Sequence, residues 1–345
     1  MISIIVPTLN RANFLRSALQ SFCQQNFPSD QYEILVIDNG STDNTRAVTS
    51  TTFDAYPSIQ SKYVYEPEPG STAARHRGAL EAKGNIFTFA DDDIQANPNW
   101  LRAINTSFND STVQLVGGPS LPKYEVEPPE WIEWFWDNGP LGKNCFYLSL
   151  LDFGDQIREI DPTYIWGLNF SIRNSALFEL KGFLPDIFPS HLQHLQGSGE
   201  TGLAGEAKRR DFKAIYHPEA LVYHHVQRER MTYRYFEKRF YFAGIDGSYS
   251  SIRATYTFRK IDMVSHVVKK HLKLLRTGYF YIKIRSYPAK RAALCRRFWR
   301  AEQKGRKFHQ DAVRQHPDIL DWIQKSDYWD CGEMVQRLTY PDLYN

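Results

Sequence analysis

The chain has 345 residues, 42% of them hydrophobic and 14% aromatic, which excludes a disordered protein and allows one large domain with an appendage or two domains. No run of about 18 apolar residues occurs, which excludes a membrane-spanning helix, and Cys23, Cys145, Cys295 and Cys331 stand too far apart for a zinc site or a disulfide framework, a pattern that suits a reducing compartment. The net charge of +3 hides a division: residues 226–310 hold 22 Lys and Arg against 5 Asp and Glu, or +17, and the remainder carries −14.

The segment from Met1 to Pro7 is too short and uncharged for a secretory leader and reads as a first strand over residues 2–6, so a cytoplasmic location is expected. Further strands are predicted at 34–37, 62–65, 86–90 and 113–116, with helices near 13–25, 43–51, 72–83 and 98–108. This alternation predicts an α/β fold, a Rossmann-like and mostly parallel sheet flanked by helices. Ligands of such sheets lie beyond the carboxyl ends of the strands. That rule selects four polar loops, at residues 7–11, 38–43, 66–75 and 91–93.

Residues 119–164 hold several prolines and the cluster Trp131, Trp134, Phe135 and Trp136, and read as an inserted flap. A strand at 166–173, a helix at 200–210 and a strand at 221–224 follow, and a boundary is placed near residue 228. The expected division is 1–227, with a nucleotide side at 1–118 and an acceptor side at 119–227, then a basic, aromatic and mainly helical region at 228–345.

Asp91-Asp92-Asp93 is the sharpest feature. Three adjacent carboxylates repel one another, and a hard cation such as Mg2+ or Mn2+ would offset that repulsion and bridge to phosphate oxygens. The competing assignment is a helix cap at Asp93 or Asn97 before Pro98, but a cap needs one carboxylate rather than three. Asp38, at the end of the second strand, can accept from a base N–H or a ribose hydroxyl, or belong to a plain turn in which Asp43 caps a helix. The N–H groups of residues 66–75, with Arg75, can receive a diphosphate. Neither G-x-G-x-x-G nor a Walker lysine pattern occurs.

Taken in order, these segments resemble glycosyltransferase family 2, whose catalytic domain has the GT-A fold. The resemblance runs from Ser3-Ile4-Ile5-Val6-Pro7-Thr8-Leu9-Asn10-Arg11 through Asp38-Asn39-Gly40-Ser41-Thr42-Asp43, Gly70–Arg75 and the aspartate triplet. It continues through Gly167-Leu168-Asn169-Phe170-Ser171 and Gly199-Glu200-Thr201-Gly202-Leu203 to Val222-Tyr223-His224, covering about residues 1–225. It implies that Pro7, Thr8, Asn10, Arg11, Asp38, Arg75, Asp91 and Asp92 hold a nucleotide-sugar, with UDP the expected nucleotide. It implies that Asp93 and His224 ligate Mn2+ or Mg2+, that Glu200 is the catalytic base, and that Trp166 and Asn169 line the sugar and acceptor pocket. The family often carries a second acid after the glutamate, where this chain has Thr201. Glu206 lies six residues on, on another side of the helix.

The resemblance implies inverting transfer from the donor to an acceptor hydroxyl of a saccharide or lipid-linked saccharide, in polysaccharide or glycolipid assembly. The alternatives are a sugar-nucleotide-binding protein without turnover, which Thr201 would signal, and a nucleotidyltransferase, which would release pyrophosphate. The basic region points to an anionic partner. One expectation for residues 228–242 is a helix on the inner membrane face with its aromatics at headgroup depth. The other is a helix packed on the body through those aromatics. No nucleic-acid motif accompanies the charge, so no nucleic-acid partner is expected.

Overall fold

The computed structural model describes residues 1–258, 287–330 and Val335. Strands β1 (Ile2–Thr8) and β2 (Tyr32–Asp38) are buried along nearly their whole length, as continuous apolar runs covered on both faces should be. Helix α1 (Ala12–Cys23) buries Ala12, Leu15, Ala18, Leu19, Phe22 and Cys23, the stripe expected of a helix lying on a sheet. Helices α2 (Thr45–Ala55) and α3 (Ser71–Glu81) alternate with β3 (Gln60–Tyr65) and β4 (Ile86–Ala90). The predicted cap is present in kind: Asp43 accepts from the amides of both Thr45 and Ala12, so one carboxylate ties the starts of α2 and α1.

β3, β2, β1 and β4 pair in parallel. Beyond β4 the sheet becomes mixed. β12 (Asn169–Arg173) runs antiparallel between β4 and β6 (Val113–Gly117), β13 (Lys213–Tyr216) pairs parallel with β6, and β11 (Arg158–Ile160) closes the edge. The order is β11-β13-β6-β12-β4-β1-β2-β3. Helix α4 (Trp100–Ser107) lies between β5 (Ile94–Ala96) and β6.

Within the stretch read as an inserted flap, residues 120–152 build most of a second sheet. β7 (Ser120–Tyr124), β8 (Asp137–Gly139), β9 (Gly142–Cys145) and β10 (Leu150–Asp152) join β5 and β14 (Val222–Val226) in the order β5-β14-β7-β10-β9-β8. β5 follows the aspartates directly, so Asp93 leads into a strand, and Asn99 precedes α4 without Asp93 capping it.

After α5 (Asn174–Glu179) and α6 (Gly199–Arg209), the C-terminal region is helical among its described residues: α7 (Tyr233–Phe258), α8 (Ala289–Gln315) and α9 (Asp318–Gln324). α7 and α8 run parallel, since Arg297 pairs with Glu237 and, further along both helices, His309 meets Ser248. Their backbones touch where they cross: a β-carbon on Gly244 would overlap the Glu302 carbonyl, and one on Gly305 the Tyr241 carbonyl.

The pair packs on the body. Trp131 lies edge-on to Phe236 at 4.8 Å, and Tyr147 stacks on Phe240 at 4.2 Å. Phe236 and Phe298 are fully buried. These aromatics serve packing on the body, and Tyr233 is among those that remain exposed. Trp329 stacks on His76 of α3, with centroids 4.1 Å apart. Among the described residues no helix is long and apolar enough to cross a membrane, and Cys23, Cys145 and Cys295 are free thiols; Cys331 lies outside them.

Candidate active site

The four polar loops converge because β3, β2, β1 and β4 are neighbours that point the same way. Asn10 adopts a left-handed backbone (φ 55°), and its side chain accepts from the Thr42 amide at 2.7 Å, locking the loop after β1 to the loop after β2. Pro7, half-buried, stands opposite Ile37 on the same strand pair. Asp38 is buried, and its oxygens accept from the Tyr63 hydroxyl (2.6 Å) and the Ser41 amide (2.8 Å). Asp38 thus shapes the wall of this cleft.

The aspartates turn to different partners. Asp91 faces Arg75, with Nη2 to Oδ1 3.7 Å. Asp92 turns to β1, accepting from the Thr8 hydroxyl at 2.7 Å and pairing with Arg11 at 2.7 Å. Its buried carboxyl is pushed up to about 7, because burial outweighs the pull of Arg11. Asp93 meets Arg11 (2.5 Å) and Arg230 (2.6 Å) through Oδ2. Burial pushes the Asp93 carboxyl up, but the surrounding donors and cations, Arg230 and Arg11 among them, outweigh it and hold the group well below the ordinary range. The repulsion within the triplet is thus offset by guanidinium groups of the chain itself.

Asp93 Oδ1 is different: it is buried and has no hydrogen-bond partner. It lies 3.6 Å from Nε2 of His224, a ring that is 1% exposed. The spacing comes from the ladder, where His224 pairs with Ile94 and the His225 amide donates to the Asp93 carbonyl at 2.9 Å. Nδ1 of His224 contacts the Leu148 carbonyl at 2.9 Å, and Nη1 of Arg230 contacts Nε2 at 2.7 Å. Arginine has only donors, so Nε2 accepts and the ring hydrogen sits on Nδ1. A histidine nitrogen beside a carboxylate oxygen, with the other ring nitrogen held by a carbonyl, is the arrangement a metal-binding histidine takes, and here Arg230 holds the Nε2 lone pair. Among the described residues no three acidic, histidine or cysteine side chains cluster as a full cage. An oxygen and a nitrogen ligand, with substrate phosphates completing the shell, fit Mg2+ or Mn2+.

Arg75 joins this part of the site to the next. It is 4% exposed, and its Nη1 meets Glu200 Oε2 at 3.1 Å. Glu200 stands in the first turn of α6. Burial raises its carboxyl, but Arg75, Arg239 and backbone N–H donors together outweigh burial and leave it below its ordinary value. A second carboxylate lies near: Asp186, pushed up to about 7 by burial and by Glu200, packs against Gly199. Gly199 has φ 48°, so a side chain there would be strained as well as crowded. Glu206 is engaged with Arg209 and Arg210 on the outer face.

Several of the expected residues make contacts within the protein itself. Thr8 and Asp92 satisfy each other inside the frame, since the turn between β4 and β5 lays the Asp92 carboxylate against the end of β1. Asn169 accepts from the Trp100 indole (2.9 Å) and donates to the Ala220 carbonyl (2.8 Å); 4% exposed, it braces the sheet behind the pocket. The amides at the start of α3 do not form an open phosphate cradle, since Gly70 N–H donates to Asn39 and Ser71 N–H to the Asp186 carbonyl. Arg75 sits with Glu200, away from that loop's surface. Trp166 is half-buried, and its indole edge meets Phe146 at 5.8 Å. Arg230, Asp186 and Tyr63 were missed by sequence reasoning. Only Tyr63 had a signal, its position on a strand beside Asp38.

A profile of glycosyl transferase family 2 matches residues 3–175. The glycosyltransferase AglE of Haloferax volcanii is 32% identical over 117 residues, 34% of this chain and 38% of that protein. The glucosyl-dolichyl phosphate glucuronosyltransferase of the same organism is 24% identical over 178 residues, 51% of this chain and 54% of that protein. The chain thus spans well under two thirds of the length of these curated relatives. The mannosyltransferase PcManGT of Pyrobaculum calidifontis, solved with GDP-Man and Mn2+, superposes with a TM-score of 0.54 at 17% identity, covering 98% of this chain and 87% of that one. Sequence over half its length and fold over nearly all of it agree: the chain has the GT-A fold and belongs to glycosyl transferase family 2.

Proposed function

We propose that this protein transfers a sugar from a nucleotide-diphosphate donor to an acceptor hydroxyl, with inversion and with a divalent metal ion held by Asp93 and His224. The observation that carries this reading is the buried, partnerless Asp93 Oδ1 facing His224 Nε2 at the carboxyl end of the parallel strands. The ion, Mn2+ or Mg2+, would supply countercharge to the departing nucleoside diphosphate. The wall built from Asn10, Asp38 and Ser41 receives the nucleoside. Glu200 takes the acceptor proton, and the Arg75 contact fixes its orientation and keeps it ionised. Asp91, on the other side of Arg75, borders the donor sugar. With one base facing the leaving group, a single displacement inverts the anomeric centre.

The family and the curated relatives support glycosyl transfer, and the Mn2+ in the PcManGT complex supports the metal. UDP-sugars are the first donors to test. The acceptor is a saccharide or a lipid-linked saccharide. In support of an anionic acceptor or surface, Lys238, Arg297, Arg300 and Lys304 line a cleft of about 610 Å³ between α7 and α8. Thermal shifts against UDP- and GDP-sugars, with and without Mn2+, test the donor and metal together. A ligand at 100 times its Kd adds about 2.7 kcal/mol of stability. A Mn2+-dependent shift followed by nucleoside diphosphate release upholds the reading. Binding without release would instead mark a sugar-nucleotide-binding protein, the reading that Thr201 favours.

A further inference from the structure

Arg230 occupies the place that the proposed metal needs. It comes from the short turn Arg228–Met231 that leads into α7. Its guanidinium spans the two ligands, with Nη2 on Asp93 Oδ2 at 2.6 Å and Nη1 on His224 Nε2 at 2.7 Å. The side chain is 19% exposed over an Asp93 carboxylate that is 2% exposed. A metal ion and an arginine N–H cannot share the single lone pair of Nε2, and two cations at such range repel.

We infer that Arg230 is a resident cation that holds the Asp93–His224 pair assembled in the metal-free protein and must swing away when the divalent ion enters. Because Arg230 is only three residues from the start of α7, metal entry at the sheet edge releases a contact of the C-terminal helix pair. The site and that region are thereby coupled. The coupling explains why a residue outside the expected catalytic domain reaches a carboxylate buried within it. It rests on the metal-dependent reading above.

The test uses the full chain and Mn2+ alone, with binding followed by loss of the free-ion paramagnetic resonance signal. Arg230→Met keeps the length of the side chain and removes its charge and donors. It should bind Mn2+ at least about tenfold more tightly than the wild type, the equivalent of one charge-assisted hydrogen bond. Arg230→Lys keeps the charge and should stay within about threefold of the wild type. In hydrogen exchange, Mn2+ should speed the amides of residues 228–236 in the wild type and leave them unchanged in Arg230→Met. A merely structural arginine would give a variant that binds Mn2+ no better. If both proteins bind Mn2+ equally, the latch is wrong and the metal site stands. If neither binds it even with a nucleoside diphosphate present, the metal site and the latch both fall.

Discussion

Replacing Glu200 with glutamine separates proton transfer from binding. The amide keeps the size of the side chain and still presents an oxygen to Arg75, now 3.1 Å from Oε2. What is lost is the negative charge and the proton-accepting capacity. A hydrogen bond to a charged acceptor contributes about 1.5–3 kcal/mol and a neutral one about 0.5–1.5, so folding should weaken by about 1 kcal/mol. Arg75 is not stranded, because Asp91 remains 3.7 Å away and the Asp186 carboxyl also acts on it. The rate should suffer far more: a general base contributes about 10²–10⁴-fold, or about 3–5 kcal/mol of barrier. Donor affinity by calorimetry and initial rates of nucleoside diphosphate release, measured on the same preparation, give both quantities. A variant within about threefold of the wild-type rate would refute Glu200 as the base and move the assignment to Asp186, where Asp186→Asn would then carry the loss.

Asp93→Ala should fold and lose at least about tenfold of any Mn2+ enhancement of nucleotide affinity; undiminished enhancement by calorimetry refutes the ligand assignment. His76, held near pKa 4 by burial, is neutral in the native state and titrates from 6.5 in the unfolded chain. Its contribution of about 3 kcal/mol is full above pH 6.5 and is lost as pH falls through 4, so urea midpoints of the wild type should fall more steeply over that window than those of His76→Asn. Gly305→Val should destabilise the protein by about 1–3 kcal/mol or more, since the new side chain meets the Tyr241 carbonyl; an unchanged urea midpoint means that the helix crossing is not as close as described. Anionic vesicles should pellet the protein, neutral ones should not, and salt should release it, with each Lys or Arg near the surface adding about 1 kcal/mol; indifference at low salt refutes membrane docking.

The nucleotide half was legible because its strands are continuous apolar runs and each ends in a polar loop. Burial along all of β2 is visible in Ile34-Leu35-Val36-Ile37 without any structure. The second sheet was not legible, for physical reasons. β8 and β10 are three residues long, too short to show a period, and β8 is exposed throughout. β5, also three residues, hides between the aspartates and Pro98. In the site, Asp93 and His224 carried a family pattern, and the structure brings them together. Arg230 carried none, because one arginine in a stretch rich in arginine gives no sign of where its side chain turns. The divided facing of the triplet was not legible, because the three aspartates lie at a turn between β4 and β5 where no strand period applies. The carboxylates' need for countercharge was legible as electrostatics, and arginines of this chain meet part of it.

The ladder between β5 and β14 has a bearing on how this architecture can be re-engineered. The spacing of Asp93 and His224 is fixed by two strands that pair directly, with β7 added parallel to β14 and β10 to β7. Residues 125–149 enter and leave between β7 and β10 without carrying either of those two side chains. They do carry Trp131 and Tyr147, which pack on Phe236 and Phe240, so changes there alter the seating of the C-terminal helices rather than the Asp93–His224 spacing. One fixture must survive any such change: a backbone carbonyl at position 148, because it receives Nδ1 of His224 and so decides which ring nitrogen faces Asp93. A graft that preserves this carbonyl should keep Nε2 turned to Asp93; one that moves it by a single residue should turn the imidazole while leaving every one of these side chains in the sequence.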